Sequence, residues 1–195
     1  MRPILAAYGL ATALLVSVPF GPSPVYAAPP TCAGLPATVV GTPDSEVLVG
    51  TAGDDVIVGL GGDDLVKAGE GNDLICTGTG DDTIKASRGD DVIFDDGGNN
   101  VIQGGEGNDT IVSGPGDDKI RGQDGNDTII DLGGHNSIKG DLGDDCLAVY
   151  NDTTSKLDGG LGTDYCCGGG SRVHCETSLA TCPPISSLPP PCHVP

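Results

Sequence analysis

The sequence predicts an all-β protein: a parallel β-solenoid of eighteen residues per coil, with two short parallel sheets and a disulfide-rich C-terminal cap. Three observations carry this. A Gly-[Asp/Asn/His]-[Asp/Asn] triplet returns every nine residues from Gly53 to Asp145, eleven times without a slip. Two residues beyond each triplet stands one aliphatic: Ile57, Val66, Ile75, Ile84, Ile93, Ile102, Ile111, Ile120, Ile129, Ile138 and Leu147. The next residue alternates at twice the repeat. It is Val58, Cys76, Phe94, Val112, Ile130 and Ala148 in odd units, but Lys67, Lys85, Gln103, Arg121 and Lys139 in even ones.

Each element follows from local chemistry. Gly reaches positive φ without penalty, and an adjacent Asp or Asn hydrogen-bonds nearby backbone, so about six residues of each unit read as turn. The remaining three read as strand. A single aliphatic per unit is buried only if strands stack and the aliphatics form a ladder, since one unit shields nothing alone. Two units therefore make one coil, and consecutive units lie on different sheets whose outer faces meet different surroundings.

Between Gly50 and Ala148 there are 22 Asp or Glu against 6 Lys or Arg, and the whole chain has a formal charge of −19. Strands stack about 4.8 Å apart, so aspartates of successive coils come into register. Like charges at that spacing oppose folding unless a cation lies between them. Carboxylates beside exposed turn carbonyls make a flexible all-oxygen shell, which suits calcium better than magnesium.

The segment Gly104-Gly105-Glu106-Gly107-Asn108-Asp109-Thr110-Ile111-Val112 fits the nonapeptide G-G-x-G-x-D-x-U-x at every position, and Gly159-Gly160-Leu161-Gly162-Thr163-Asp164 repeats its turn part. Over residues 41–165 the chain resembles the RTX (repeats-in-toxin, hemolysin-type) calcium-binding β-rolls. The resemblance implies several Ca²⁺ ions, each held between units one coil apart by turn carbonyls and the sixth-position aspartate. The implied ligands are Asp55, Asp64, Asp73, Asp82, Asp91, Asp109, Asp118, Asp127 and Asp145. Asn100 and Asn136 depart from the pattern, as do Ala, Thr, Ser or Asp in place of several first glycines, so sites there are expected to be weaker or empty.

The flanking segments complete the organisation. Residues 1–27, with Arg2, an apolar run over 4–18 and Val25-Tyr26-Ala27, read as a secretory signal peptide rather than a retained anchor. Residues 28–49 read as a capping segment of degenerate repeats: Val39 and Leu48 keep the phase, while Glu46 stands where the ligand would be. Residues 50–148 hold the eleven repeats, and residues 149–195 a Cys-rich cap and Pro-rich tail, with one residue inserted before Leu157. Eight cysteines behind a signal peptide argue for disulfides over zinc. Six lie from Cys146 onward, expected as a knot-like cluster; Cys32 and Cys76, remote from it, are expected to pair across the apolar outer face. That face is expected to be covered by the chain's own N-terminus or tail.

The expected function is that of a secreted calcium-binding protein folding on its metal, with calcium ions as partner and no membrane span after signal cleavage. The acidic charge disfavours nucleic acid. An enzyme is not expected, because every Asp-Asp pair is explained by the repeat and the chain lacks Trp. The alternative is a cell-surface or adhesive module using the roll as scaffold, with a cell-wall or glycan partner. Ice binding needs a regular Thr face, which the mixed exposed columns do not provide. The N-terminal signal fits general secretion rather than export by a C-terminal signal, and prefix and cap together resemble those of stand-alone repeat proteins of Gram-positive actinobacteria.

Overall fold

A computed structural model describes residues 30–168 and 170–176. Residues 1–27, expected from the sequence to be a signal peptide, and the Pro-rich tail with Cys182 and Cys192 lie outside the described residues. The chain opens with a small antiparallel hairpin, β1 (Thr31–Cys32) and β2 (Leu35–Pro36). It then winds back and forth between two parallel eight-stranded sheets. One, the short-strand sheet, holds β3 (Val39–Val40), β5 (Val56–Val58), β7 (Leu74–Cys76), β9 (Val92–Phe94), β11 (Thr110–Ser113), β13 (Thr128–Asp131), β15 (Cys146–Val149) and β17 (Tyr165–Cys167). The other, the long-strand sheet, holds β4 (Val47–Val49), β6 (Leu65–Glu70), β8 (Thr83–Arg88), β10 (Val101–Glu106), β12 (Lys119–Asp124), β14 (Ser137–Leu142), β16 (Lys156–Leu161) and β18 (Ser171–Val173).

Register follows the repeat: Ile57 pairs with Ile75, Ile75 with Ile93, and Ile84 with Ile102, each one coil apart. The inserted residue after Ala148 is absorbed in the turn, so Leu147 pairs with Cys166 and Ile138 with Leu157. Inside the roll the ladder runs unbroken from Leu48 to Cys166, with every repeat Ile at zero exposure. Each fully buried Ile contributes roughly 2–3 kcal/mol. The thin core is therefore long rather than thick.

Three-residue strands hold for β5, β7, β9 and β17 of the short-strand sheet, while β11, β13 and β15 have four residues. The long-strand sheet differs, with six residues per strand from β6 to β16. There pairing continues into the turn: Gly69 pairs with Ser87, Ser87 with Gly105, Gly105 with Gln123 and Gln123 with Asp141. All five carry positive φ, which glycine accepts and Ser87, Gln123 and Asp141 do not accept freely.

The two outer faces differ as the alternation predicts. Lys67, Lys85, Gln103, Arg121 and Lys139 align on the long-strand sheet, and all but Gln103 are exposed. On the short-strand sheet Val58, Cys76, Phe94 and Val112 are buried in a second apolar cluster with Cys32, which the hairpin brings over the strands. The Cys32–Cys76 disulfide is formed, closing a separation of 44 residues. Over these first coils the cover is the N-terminal segment. Cys166 bonds Cys175 within the cap, and Cys146 is also disulfide-bonded.

Candidate metal centre

The winding creates two edges. The first edge carries the turns from the long-strand to the short-strand sheet, with Asp55, Asp73, Asp91, Asp109, Asp127, Asp145 and Asp164 in one column. The second carries the return turns, with Asp64, Asp82, Asn100, Asp118 and Asn136 in another. All twelve side chains are buried. The nine implied ligands thus fall into two rows, Asp55, Asp73, Asp91, Asp109, Asp127 and Asp145 on the first edge and Asp64, Asp82 and Asp118 on the second; Asp164, from the turn that repeats the pattern after the main array, joins the first row over a spacing of nineteen.

Both columns use one oxygen the same way. Beyond Asp55, whose Oδ1 accepts the Thr38 hydroxyl at 2.9 Å, each Oδ1 accepts the backbone N–H of its counterpart in the preceding coil: Asp73 from Asp55 at 2.8 Å, Asp91 from Asp73 at 2.8 Å, Asp109 from Asp91 at 2.9 Å, and Asp127 from Asp109 at 2.8 Å. Asp145 and Asp164 continue the row. On the second edge Asp82 serves Asp64 and Asn100 serves Asp82, and the row ends at the Ser155 hydroxyl, which accepts from Asn136.

The middle residue of each triplet runs a second row in the opposite sense. Its side-chain oxygen accepts the N–H of the following coil: Asp54 from Asn72, Asn72 from Asp90, Asp90 from Asn108, and Asn108 from Asn126. An amide oxygen accepts as well as a carboxylate does here, which is why Asn and Asp interchange at this position. Sequence reasoning gave these residues no role beyond turn formation.

The other carboxylate oxygen is left over along most of the ligand row. Oδ2 is buried without a hydrogen-bond partner among the described residues in Asp73, Asp91, Asp109, Asp127, Asp145 and Asp164, in Asp64 and Asp82, and, outside that row, in Asp131. Buried anionic acceptors left without donors are costly, so a cation fits these positions. The first-position glycine leaves room for that oxygen: a Cβ on Gly50 would lie 2.8 Å from Oδ2 of Asp55, one on Gly59 2.7 Å from Oδ2 of Asp64, and one on Gly104 would collide with Asp109. Hard oxygen donors in rows suit calcium. Among the described residues no three His, Cys, Asp or Glu side chains converge as a preformed cluster. A full shell therefore draws on turn carbonyls as well as carboxylates.

Electrostatics agree. Burial, opposed by the backbone N–H bond and reinforced by neighbouring carboxylates, pushes Asp73, Asp109 and Asp145 up to about 6 and Asp91 and Asp127 up to about 7. On the second edge burial lifts Asp64 to about 6 and raises Asp82 and Asp118. Asp55 is the exception. Burial pushes it upward, but the Thr51 N–H and the Thr38 and Thr51 hydroxyls together hold it below the usual carboxylate range. Its Oδ2 is occupied by Thr51 at 2.6 Å. Glu46 folds back onto the Thr42 N–H of its own turn, while its own N–H reaches Oδ1 of Asp64 at 3.0 Å.

The family model for the RTX calcium-binding nonapeptide repeat (four copies) matches residues 40–75, 77–111 and 112–147. No curated protein and no solved structure matches the chain significantly.

Proposed function

This chain belongs to the RTX calcium-binding nonapeptide repeat family, and from that premise we propose a secreted protein whose roll assembles on calcium held by the aspartate rows. The reading rests chiefly on the buried, donorless Oδ2 atoms of Asp73, Asp91, Asp109, Asp127, Asp145 and Asp164. Asp64 and Asp82, whose Oδ2 atoms are likewise donorless, extend the ligand set at the N-terminal end, whereas Thr51 occupies Oδ2 of Asp55. Bound calcium supplies the positive charge that lets stacked carboxylates remain ionised. The protein's own contribution is placement. Oδ1 is spent on the neighbouring coil's backbone, so the carboxylate is fixed in orientation once the coils stack, and the first-position glycine keeps the space beside Oδ2 clear.

Folding and binding are then one process, because the rows exist only when coils stack. Each coil contacts only its neighbours, so assembly spreads along the roll. Secretion is supported by the N-terminal leader pattern and by cystines that persist in oxidising compartments. No catalytic role is proposed.

Calcium titration of the mature chain, followed by circular dichroism with magnesium as control, tests this. A β signal appearing with calcium and not with magnesium is expected. Retention of that signal in excess chelator, with no calcium taken up on its return, would overturn the proposal. A second reading, a surface scaffold, draws on the exposed Lys67, Lys85, Arg121 and Lys139 column across the long-strand sheet. Calcium-dependent retention on anionic cell-wall glycan, lost when those four residues become Gln, would favour it.

A further inference from the structure

The two edges are not equivalent. On the first edge the position five residues before each aspartate is Gly or Ala throughout: Gly50, Ala68, Ala86, Gly104, Gly122, Gly140 and Gly159. On the second edge it is Gly59, then Thr77, Asp95, Ser113 and Asp131, all four buried. These side chains occupy the space that glycine clears elsewhere. Asn100 Nδ2 donates to Oδ2 of Asp95 at 2.7 Å, the Ser113 hydroxyl donates to Oδ2 of Asp118 at 2.5 Å, and Asn136 Nδ2 donates to Oδ1 of Asp131 at 2.7 Å. The Thr77 hydroxyl donates across one coil to Oδ1 of Asp95 at 3.1 Å.

The departures are therefore paired. Where the sixth position loses its carboxylate, at Asn100 and Asn136, the first position gains one, at Asp95 and Asp131. Where the aspartate is kept, at Asp118, the first position is a hydroxyl. Each of these three units has one buried carboxylate and one donor to meet it, and both oxygens of Asp95 and of Asp118 are bonded, whereas Oδ2 of Asp131 is left without a donor. At Asp95–Asn100 and Ser113–Asp118 the pair closes the turn without a metal, and it leaves the sixth-position group no second acceptor to offer.

We infer that the second edge from Asp95 to Asp118 is a hydrogen-bonded polar spine that takes no calcium, and that the roll binds calcium along its first edge and, on the second, only outside that stretch, where Asp64, Asp82 and Asp131 keep donorless oxygens. The inference rests on the calcium reading above and narrows it: six inter-coil steps on the first edge share the donorless arrangement. The spine gives the roll one side whose closure is independent of the ion and one side that depends on it.

Native mass spectrometry of the full mature chain in calcium, with circular dichroism confirming the fold of each variant, tests the inference. Asp127→Asn on the first edge is expected to bind fewer ions than the unaltered chain. Asp95→Asn keeps an acceptor for Asn100 and is expected to bind the same number. Asp95→Gly with Asn100→Asp restores the repeat pattern and is expected to bind at least one more. Loss of an ion from Asp95→Asn, or no gain in the folded double variant, overturns the inference while leaving the calcium reading intact. An unaltered chain that binds no calcium overturns both.

Discussion

Asp109 accepts the backbone N–H of Asp91 through Oδ1 at 2.9 Å, one coil away, and keeps Oδ2 buried without a donor. One side chain thus performs two separable tasks, joining coils and offering an anionic oxygen. Asp109→Asn retains the first and loses the charge of the second, whereas Asp109→Ala loses both. The Asn variant is expected to need several-fold more calcium to reach half-maximal β signal. The Ala variant is expected to lose a further 1–2 kcal/mol or so of calcium-loaded stability, from the freed buried N–H. Calcium titrations and urea melts of the two variants check this; equal behaviour would show that the inter-coil bond contributes nothing.

The raised carboxyls set a pH dependence of definite sign. In the calcium-free roll, Asp73, Asp91, Asp109 and Asp127 hold protons up to about 6 or 7, pushed there by burial, while the unfolded chain releases them near the ordinary carboxylate value. The folded state binds more protons in that interval, so its stability falls as pH rises from about 4 to about 7. Calcium reverses the trend, because it competes with those protons. β signal in chelator is expected to be larger at pH 5 than at pH 8, and apparent calcium affinity is expected to be weaker at pH 5. Circular dichroism at the two values, with and without calcium, decides it.

The Cys32–Cys76 bond fastens the hairpin over Val58, Phe94 and Val112. Closing a 44-residue separation is worth about 4 kcal/mol by chain entropy. A Cys32→Ala, Cys76→Ala chain is expected to melt at lower urea in calcium and to bind an apolar dye that the unaltered chain excludes. An unchanged melt would mean that packing alone holds the hairpin.

Gln123 has a φ of 87° in the column shared with Gly105 and Asp141. A left-handed conformation costs an L residue roughly 1–2 kcal/mol, and glycine's greater unfolded freedom takes back part of the gain. Gln123→Gly is expected to raise the calcium-loaded melting midpoint by a few degrees. Gly105→Ala is expected to lower it, because the new methyl would meet the Ser87 carbonyl. Thermal melts of the pair read both signs.

Much of the architecture was legible because it is periodic. Ile57, Ile75 and Ile93 could be assigned to one inner ladder, and Val58, Cys76 and Phe94 to a face needing cover, from spacing alone; the pairing of Cys32 with Cys76 rested only on their distance in sequence from the other six cysteines, and the bond is formed. The six-residue strands were not legible, since Gly69 and Gln123 read as turn residues and only the stacked backbone shows that they pair. The ligand row was visible as a pattern, but its division between two edges was not used. Asp95 and Asp131 looked like failures of a glycine position. Their meaning lies in Asn100 and Asn136, five residues on, and a comparison of the first and sixth positions within each unit would have exposed the exchange. Asp164 was displaced from the pattern by the one-residue insertion before Leu157.

The handedness of the two faces has a consequence for how such a chain can grow or shrink. Removing eighteen residues would delete a whole winding and leave every remaining side chain on its own side. Removing nine would transplant everything downstream to the opposite side, sending Lys85 or Arg121 beneath the hairpin where Cys76 and Val112 now lie, and exchanging spine for calcium edge midway along the molecule. The nonapeptide is the word that recurs in the text, but only its doublet can be copied or lost without rewriting the rest.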